Sequence, residues 1–444
     1  MKGRKLMSFF SRGVNVPHKK STADTSPVYI SGVKTVTIPM QMHIGAPASP
    51  TVKVGDTVRV GTKIAEAVGT ISAPIHSSVS GKVIKISDML TSAGSKVSAI
   101  TIESDGEMTP DDSVTPPSVN NREELVQAIK NSGVVGIGGA GFPTYVKWNV
   151  DPERIEELII NGAECEPYIT SDSVTMTERA DDMQYALRAL QEHFTLKRII
   201  IGIEGNKLNA IRSMRAMASE MEGVAVKVLP TRYPQGGEKV LIYNTTKKVI
   251  PVGKLPIDVG CIVCNCSTVA AIGNYLKTGM PLVKKCITVD GGAVKEPKNV
   301  VVPVGTLLSD VFDFCGGFNE QPYKILYGGP MMGVSVPSLD VPVIKTTNAI
   351  TALSEREGKR RETVACIRCG ACTNACPLGL APAEILRAYG KKDTEALKKL
   401  SVDACMLCGC CSFTCPANRP LVQTNSLSKQ LLREERAKEA KKNG

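Results

Sequence analysis

Two cysteine runs near the C-terminus constrain this chain most: Cys366, Cys369, Cys372 and Cys376 precede Pro377, and Cys405, Cys408, Cys411 and Cys415 precede Pro416. Each reads CxxCxxCxxxCP, the established ligand spacing of bacterial-type [4Fe–4S] centres. Three thiolates on one tight loop cap three irons of a cubane, and the fourth lies a turn further along. In two-cluster proteins that fourth thiolate crosses to the other cluster. The runs therefore predict one centre held by Cys366, Cys369, Cys372 and Cys415, and a second held by Cys405, Cys408, Cys411 and Cys376. Zinc competes for such thiolates, but its four-cysteine sites usually come as separated CxxC pairs. An α-helical, ferredoxin-like bis-[4Fe–4S] unit is expected over 355–425.

A chain of 444 residues exceeds one ordinary core, and about 150 residues per domain suggests roughly three units. Fifteen cysteines would imply disulfides only in a secreted protein. The opening MKGRKLMSFFSRG is basic but has no apolar core, so no signal peptide and a reducing cytosol are expected. No run of about 18 apolar residues exists, which argues against a bilayer span but not against a peripheral place on a membrane. Net charge is +11, from 54 Lys and Arg against 43 Asp and Glu, and suits nucleic acid, anionic lipid or an acidic protein. Aromatics are 4% and do not interleave with the basic residues, so no nucleic acid is expected. The basic tail, 426–444, contains KQLLREERAKEAKK, which reads first as a solvated helix and second as a dock for a membrane or an acidic partner.

Within the N-terminal region, 1–110, short alternating runs such as VKTVTI and GKVIKI lie between turn signals and predict small-barrel β structure. VKVGDTVRVGTKIAEA and ISAPIHSSVSGKVIKI resemble the two halves of a biotinyl- or lipoyl-type barrel-sandwich hybrid. Its hairpin tip, AEAVGT, carries no lysine to modify, so the module reads as structural. Residues 104–121 are a linker rich in Pro, Ser and Asp. Helix and strand patterns then alternate through NREELVQAIKNSG, ELII, DDMQYALRALQEHF, RIIIGI, NKLNAIRSMRAMASEM and VAVKVLP, predicting an α/β layer over 122–275. Strand patterns followed by a helix at 287–314 suggest a small β-grasp module over 280–335.

The segment GIGGAGFPTYVKWN, 136–149, supplies four glycines, Gly136, Gly138, Gly139 and Gly141, whose backbone can approach a ligand and offer N–H groups to a phosphate. Lys147 adds a point charge. The letters satisfy a dinucleotide fingerprint with Glu164 at ribose distance, but only Val134 and Val135 separate the preceding helix from the first glycine, so no strand feeds the loop. Phe142 and Pro143 are also expected to crowd a helix opening there.

GIGGAGFPTYVKW together with NGAECEP, 161–167, resembles the FMN-binding stretch of the NADH-oxidising flavoprotein subunit of respiratory complex I and of the C subunits of Rnf complexes. The resemblance implies that Gly136, Gly138, Gly139, Gly141 and Lys147 embrace the flavin phosphate and ribityl chain, and that Phe142 stacks on NADH. It also implies that Asn161, Glu164 and Glu166 approach flavin and nicotinamide, with Glu164 and Glu166 orienting the latter. IVCNCSTVAA resembles a third patch and implicates Asn265 and Thr268, and YPQGGEK implicates Gly236, Gly237 and Glu238. The order of modules favours the Rnf family: RGVNVPHKKST at the start, barrel, flavin layer, an SLBB-like β-grasp unit, GGPMMG and PVIKTTNAI, then two clusters where complex I's flavoprotein has one. Cys261, Cys264 and Cys266 depart from that pattern, as does Cys410, and read as small buried hydrophobes, with flavin tuning or an extra metal as the alternative. His43 and His76 are expected to be satisfied or exposed.

Hydride moves two electrons and a cluster moves one, so a flavin is needed between NADH and the centres. The expected cofactors are two [4Fe–4S] clusters, FMN and NAD(H), and the expected partners are other membrane and peripheral Rnf subunits, with ferredoxin acting indirectly. The place implied is the cytoplasmic face of the cell membrane. Two alternatives stay open: a soluble relative serving a cobalamin or amino-acid reductase, and a non-enzymatic iron–sulfur relay.

Overall fold

The computed structural model describes residues 12–91 and 94–443, with side chains described to residue 440, so the reading of the first eleven residues lies outside it. In the barrel, Thr35–Pro39 pairs antiparallel with Lys96–Ser104, with Val36 opposite Ile102 and Ile38 opposite Ile100. All four of those side chains are fully buried, as the alternation requires. Each contributes about 1.5–3 kcal/mol by leaving water. The sheet is completed by Gly81–Leu90 and Thr57–Val58, and three short strands, Ser49–Pro50, Lys63–Glu66 and Ile75–His76, close the sandwich. The tip between the last two docks on the next domain: Tyr145 donates its hydroxyl to the Thr70 carbonyl at 2.9 Å. The linker is pinned as well, since Val60 donates its N–H to the Thr109 carbonyl and accepts from the Asp111 N–H, each at 2.9 Å.

The flavin-type layer is a four-stranded parallel sheet in the order Val224–Leu229, Arg198–Glu204, Glu157–Gly162, Cys261–Asn265. Its largest core lies under helices Arg122–Asn131, Ala180–His193, Leu208–Ser219 and Cys266–Thr278. Asn121 caps the first of these by accepting from the Glu124 N–H, and Leu125, Ala128 and Ile129 form its buried face.

A six-stranded mixed sheet follows, in the order Val28–Tyr29, Lys298–Pro303, Lys284–Asp290, Ala349–Leu353, Lys324–Tyr327, Val334–Ser335. It draws its first strand from ahead of the barrel and a central strand from beyond residue 335. The last unit is helical, with Ala371–Ala375, Pro382–Gly390, Thr394–Lys399 and Cys410–Phe413 packed by a 23-residue helix, Leu421–Asn443. That helix is docked along part of its length rather than wholly solvated: Leu432 is fully buried, and Glu435 accepts from Thr394. No helix among the described residues is long and apolar enough to cross a membrane.

Candidate functional site

Chain order places a crevice. From the Glu157–Gly162 strand the sheet grows outward through Arg198–Glu204 and Val224–Leu229, then returns to lay Cys261–Asn265 on the opposite side. Loops leaving the carboxyl ends of two such strands diverge and leave room for a ligand. Asn161 and Asn265 are register partners at that end. Asn161 donates to the Gly236 carbonyl at 2.9 Å and accepts from the Ala163 N–H at 3.2 Å. Asn265 caps helix Cys266–Thr278 through the Ser267 N–H and donates to Asp172 at 2.7 Å.

The glycine loop closes over this crevice. Gly136 donates to the Phe142 carbonyl at 2.9 Å, Ile137 to the Thr268 hydroxyl at 3.0 Å, and Gly138 to the Thr346 carbonyl at 3.2 Å. Gly141 has φ +72°, and a Cβ there would stand 2.7 Å from Thr346 Cγ2 and 3.1 Å from His43 Cα, so the barrel and the 345–348 segment clamp it. Gly139 differs: its φ is ordinary and nothing lies within 4 Å of an added Cβ. The protein itself does not require glycine there. The N–H groups of Gly139, Ala140 and Gly141 have no acceptor among the described residues, a donor set that fits a phosphate. Lys147 lies at the same end, donating to the Val263 carbonyl at 2.7 Å, and Phe142 is half-buried. Pro143 does not crowd the following helix; it stands at the N-cap of Thr144–Trp148, where its missing N–H costs no bond.

The two glutamates are engaged with backbone. Glu164, at φ +47°, is buried and accepts from the N–H groups of Asp172 at 2.6 Å and Ser173 at 3.4 Å, at the start of helix Ser171–Glu178. Glu166 accepts from the Met331 and Met332 N–H groups at 3.0 and 2.7 Å, latching the GGPMMG turn to the crevice. Burial pushes both carboxyls up to about 7.

The YPQGGEK loop reaches from this crevice to the cysteines. Gly236 receives Asn161, Gly237 heads helix Glu238–Thr246, and Tyr233, fully buried, donates to the Cys408 carbonyl at 2.6 Å. Tyr233 packs with Cys165, Met331, Met406, Cys408 and Cys410.

Both cysteine runs adopt one backbone. Arg368 and Gly370 have φ +56° and +76°, and their counterparts Leu407 and Gly409 have +57° and +82°, each pair leading into a one-turn helix. An open pocket is lined by Cys376, Cys405, Cys408 and Cys411, so the fourth cysteine of the first run stands with the first three of the second. Leu380 donates its N–H to Cys376 Sγ and Asn425 its amide to Cys405 Sγ, both at 3.3 Å. Among the described residues no three ligand side chains close up as a single ion's shell would. A cubane sets its thiolates at the corners of a larger body, and the cavity with its N–H···S donors fits that group. In the other set Cys372 and Cys415 share a cluster with Leu421, while Cys366 and Cys369 lie on the surface.

Cys261, Cys264 and Cys266 are all buried, and strand alternation puts Cys261 in the core on one face of the sheet and Cys264 in the core on the other, which separates them as ligands. His43 is satisfied, bonding Ile44 O and the Ala73 N–H at 3.1 Å each. His76 is not: it is buried with no protein partner for Nδ1 among the described residues.

Residues 129–274 match the Nuo51 FMN-binding domain, 8–107 the RnfC barrel sandwich hybrid domain, 286–335 the SLBB domain and 362–419 the 4Fe-4S dicluster domain. The C subunit of a proton-translocating ferredoxin:NAD(+) oxidoreductase complex from Clostridium ljungdahlii is 41% identical over 87% of this chain and 86% of its own length. The chain belongs to the RnfC family. Its Na(+)-translocating relative from Acetobacterium woodii is 39% identical, over 85% and 86% of the two chains, and the C subunit of the ion-translocating oxidoreductase complex of Rhodobacter capsulatus is 39% identical over 98% and 85%. A solved NAD+-reducing [NiFe]-hydrogenase in its H2-reduced state aligns at 20% identity and TM-score 0.48, over 70% of this chain and 62% of that one. Membership gives the fold class expected from the sequence: barrel-sandwich hybrid, α/β flavin layer, β-grasp module and helical dicluster unit. Sequence reasoning did not single out Lys20, Asp172, Lys207 or Tyr233: Lys20 and Tyr233 sit inside the RGVNVPHKKST and YPQGGEK segments, but all four matter only through what the fold sets beside them.

Proposed function

We propose that the chain is the nicotinamide-facing subunit of a membrane-bound, ion-translocating ferredoxin:NAD+ oxidoreductase, exchanging electrons between two [4Fe–4S] clusters, FMN and NAD(H). One observation carries the reading: the 233–237 loop bonds Asn161 at the crevice through Gly236 and Cys408 at the cysteine cavity through Tyr233. A flavin bound there supplies hydride exchange with the nicotinamide and single-electron exchange with the clusters.

The chain's own residues then have distinct tasks. The open N–H groups of Gly139, Ala140 and Gly141, with Lys147, hold the flavin phosphate, while Gly136 and Gly138 shape the loop through their bonds to Phe142 and Thr346. Thr268, Asn265 and Asn161 fix the crevice floor, Gly236, Gly237 and Glu238 shape its side toward the clusters, and Phe142 offers a face to the nicotinamide. Of the two carboxylates Glu166 is the more exposed and is assigned to the nicotinamide side, and Glu164 shapes the turn. The centre held by Cys376, Cys405, Cys408 and Cys411 stands nearer the crevice.

Electrons enter at the other centre. Residues 359–370 are exposed, and Arg360, Arg361 and Arg368 share this segment with Cys366 and Cys369 and form no ion pair among the described residues, a surface suited to an acidic partner that relays electrons from ferredoxin. With no spanning helix described, attachment at the cytoplasmic face rests on those partners. Relatives named for proton and for Na+ translocation match this chain almost equally, which supports leaving ion choice to other subunits. Anaerobic titration of the full chain with NADH tests the reading: bleaching of flavin absorbance and cluster signals in electron paramagnetic resonance are expected, and absence of both refutes it.

A further inference from the structure

The N-terminal segment crosses the molecule as a strap and delivers a lysine to the flavin-side turn. Lys20 Nζ donates to the carbonyls of Glu164 at 3.0 Å, Glu166 at 2.9 Å and Ile169 at 2.5 Å, so all three ammonium protons have acceptors on one stretch of backbone. That stretch runs from the end of strand Glu157–Gly162 to helix Ser171–Glu178 and holds two non-glycine residues in the left-handed region, Glu164 at φ +47° and Tyr168 at +70°. Such backbone persists only when its surroundings over-determine it.

Holding the strap down does not need this lysine. Val14 forms a bridge with Tyr233, His18 O accepts from Tyr168, Lys19 pairs with Glu357 at 2.5 Å, and Thr22 meets Thr170 at 2.6 Å. Nor is Lys20 bonded to any carboxylate among the described residues. Glu164's carboxylate is taken by the Asp172 and Ser173 N–H groups, and Glu204 pairs with Lys207, whose Nζ also reaches the Glu164 carbonyl at 3.2 Å. Two cations therefore converge on a single peptide carbonyl. The N–H on the far side of that peptide unit belongs to Cys165, and it, like the Glu166 N–H, has no acceptor among the described residues. An ammonium on the carbonyl end of a peptide polarises the N–H at the opposite end and strengthens any bond it makes.

We propose that Lys20 is a positioning residue for the flavin: by gathering three carbonyls it fixes the 164–169 turn so that the free N–H groups of Cys165 and Glu166 face the bound isoalloxazine, and its charge favours the reduced, more anionic form. The proposal rests on the FMN reading above. The test uses the anaerobically prepared full chain and its Lys20→Met and Lys20→Arg variants, with FMN affinity measured by fluorescence and flavin midpoint potential by spectroelectrochemistry. Iron content and thermal melting serve as folding controls.

Lys20→Met is expected to retain iron, to bind FMN at least tenfold more weakly, and to weaken the reduced form about tenfold more than the oxidised. For a two-electron couple that ratio lowers the midpoint by about 30 mV. Lys20→Arg keeps the charge but replaces a rotatable ammonium with a planar fork, so it is expected to lose affinity while keeping the midpoint. Wild-type affinity and midpoint in folded Lys20→Met overturn the proposal. Should Lys20→Met fail to fold, unchanged affinity in Lys20→Arg overturns it and a fivefold or greater loss supports it. Failure of the wild-type chain to bind FMN sinks the underlying FMN reading instead.

Discussion

Gly139→Ala separates a ligand cradle from a structural turn. The residue is exposed, its φ is ordinary and no atom lies within 4 Å of the new Cβ, so the folded chain accommodates the methyl without strain. Replacing Gly by Ala in a compatible conformation stabilises by about 0.4–1 kcal/mol, because the unfolded chain loses freedom. A group seated on the Gly139 and Ala140 N–H donors meets that methyl, and overpacking of this size costs about 1–3 kcal/mol, or roughly 5- to 150-fold in affinity. The neighbouring Gly141→Ala is the contrast. Its positive φ costs about 1–2 kcal/mol and the contacts with Thr346 and His43 about 1–3 more, so the fold itself weakens. Differential scanning calorimetry with FMN titration should show Gly139→Ala as stable as wild type yet poor in flavin, and Gly141→Ala impaired in both. Normal FMN affinity in Gly139→Ala would refute the assignment of this loop to the flavin.

Cys376→Ser should remove iron from the centre otherwise supplied by the second run, leaving about half the cluster signal and sparing the Cys366 centre; loss confined to the first run's centre would contradict the crossing. Tyr233→Phe deletes the buried bond to the Cys408 carbonyl and should destabilise by about 1–3 kcal/mol, with faster iron loss to a chelator as the readout. Burial raises the Glu166 carboxyl from 4.5 to about 7, so its neutral form contributes stability that is complete below pH 4.5 and lost as pH rises through 7. Glu166→Gln should flatten denaturant midpoints across that window, and an unchanged pH slope would count against it. Reversing Arg360, Arg361 and Arg368 to Glu should weaken coupling to an acidic donor and its salt dependence while leaving NADH-driven reduction of a small neutral dye intact.

Local chemistry was the legible part. The CxxCxxCxxxCP runs announce a dicluster unit through their spacing, and the strand and helix patterns from NREELVQAIKNSG to VAVKVLP follow from periodicity in burial, so both could be read directly. Thr268 and Asn265 were named through resemblance, and the fold supplies their reason: one holds the Ile137 N–H and the other caps the helix beside it. What stayed hidden depends on contacts distant in sequence. Lys20 meets Glu164 across 144 residues and Tyr233 meets Cys408 across 175, and no local pattern encodes either pairing. Ala349–Leu353 shows a related limit, since nothing in its own five residues says that it pairs parallel with Lys284–Asp290. His76 shows the same limit: the expectation is a satisfied or exposed imidazole, and neither its burial nor its unpartnered Nδ1 is announced by a two-residue strand in which both side chains are buried.

Native mass spectrometry of the anaerobically purified full chain tests the central claim most directly. Two cubanes and one FMN bound to a single chain are predicted, with about eight irons and eight acid-labile sulfides. Zinc in place of iron, or a single cubane without flavin, would contradict it.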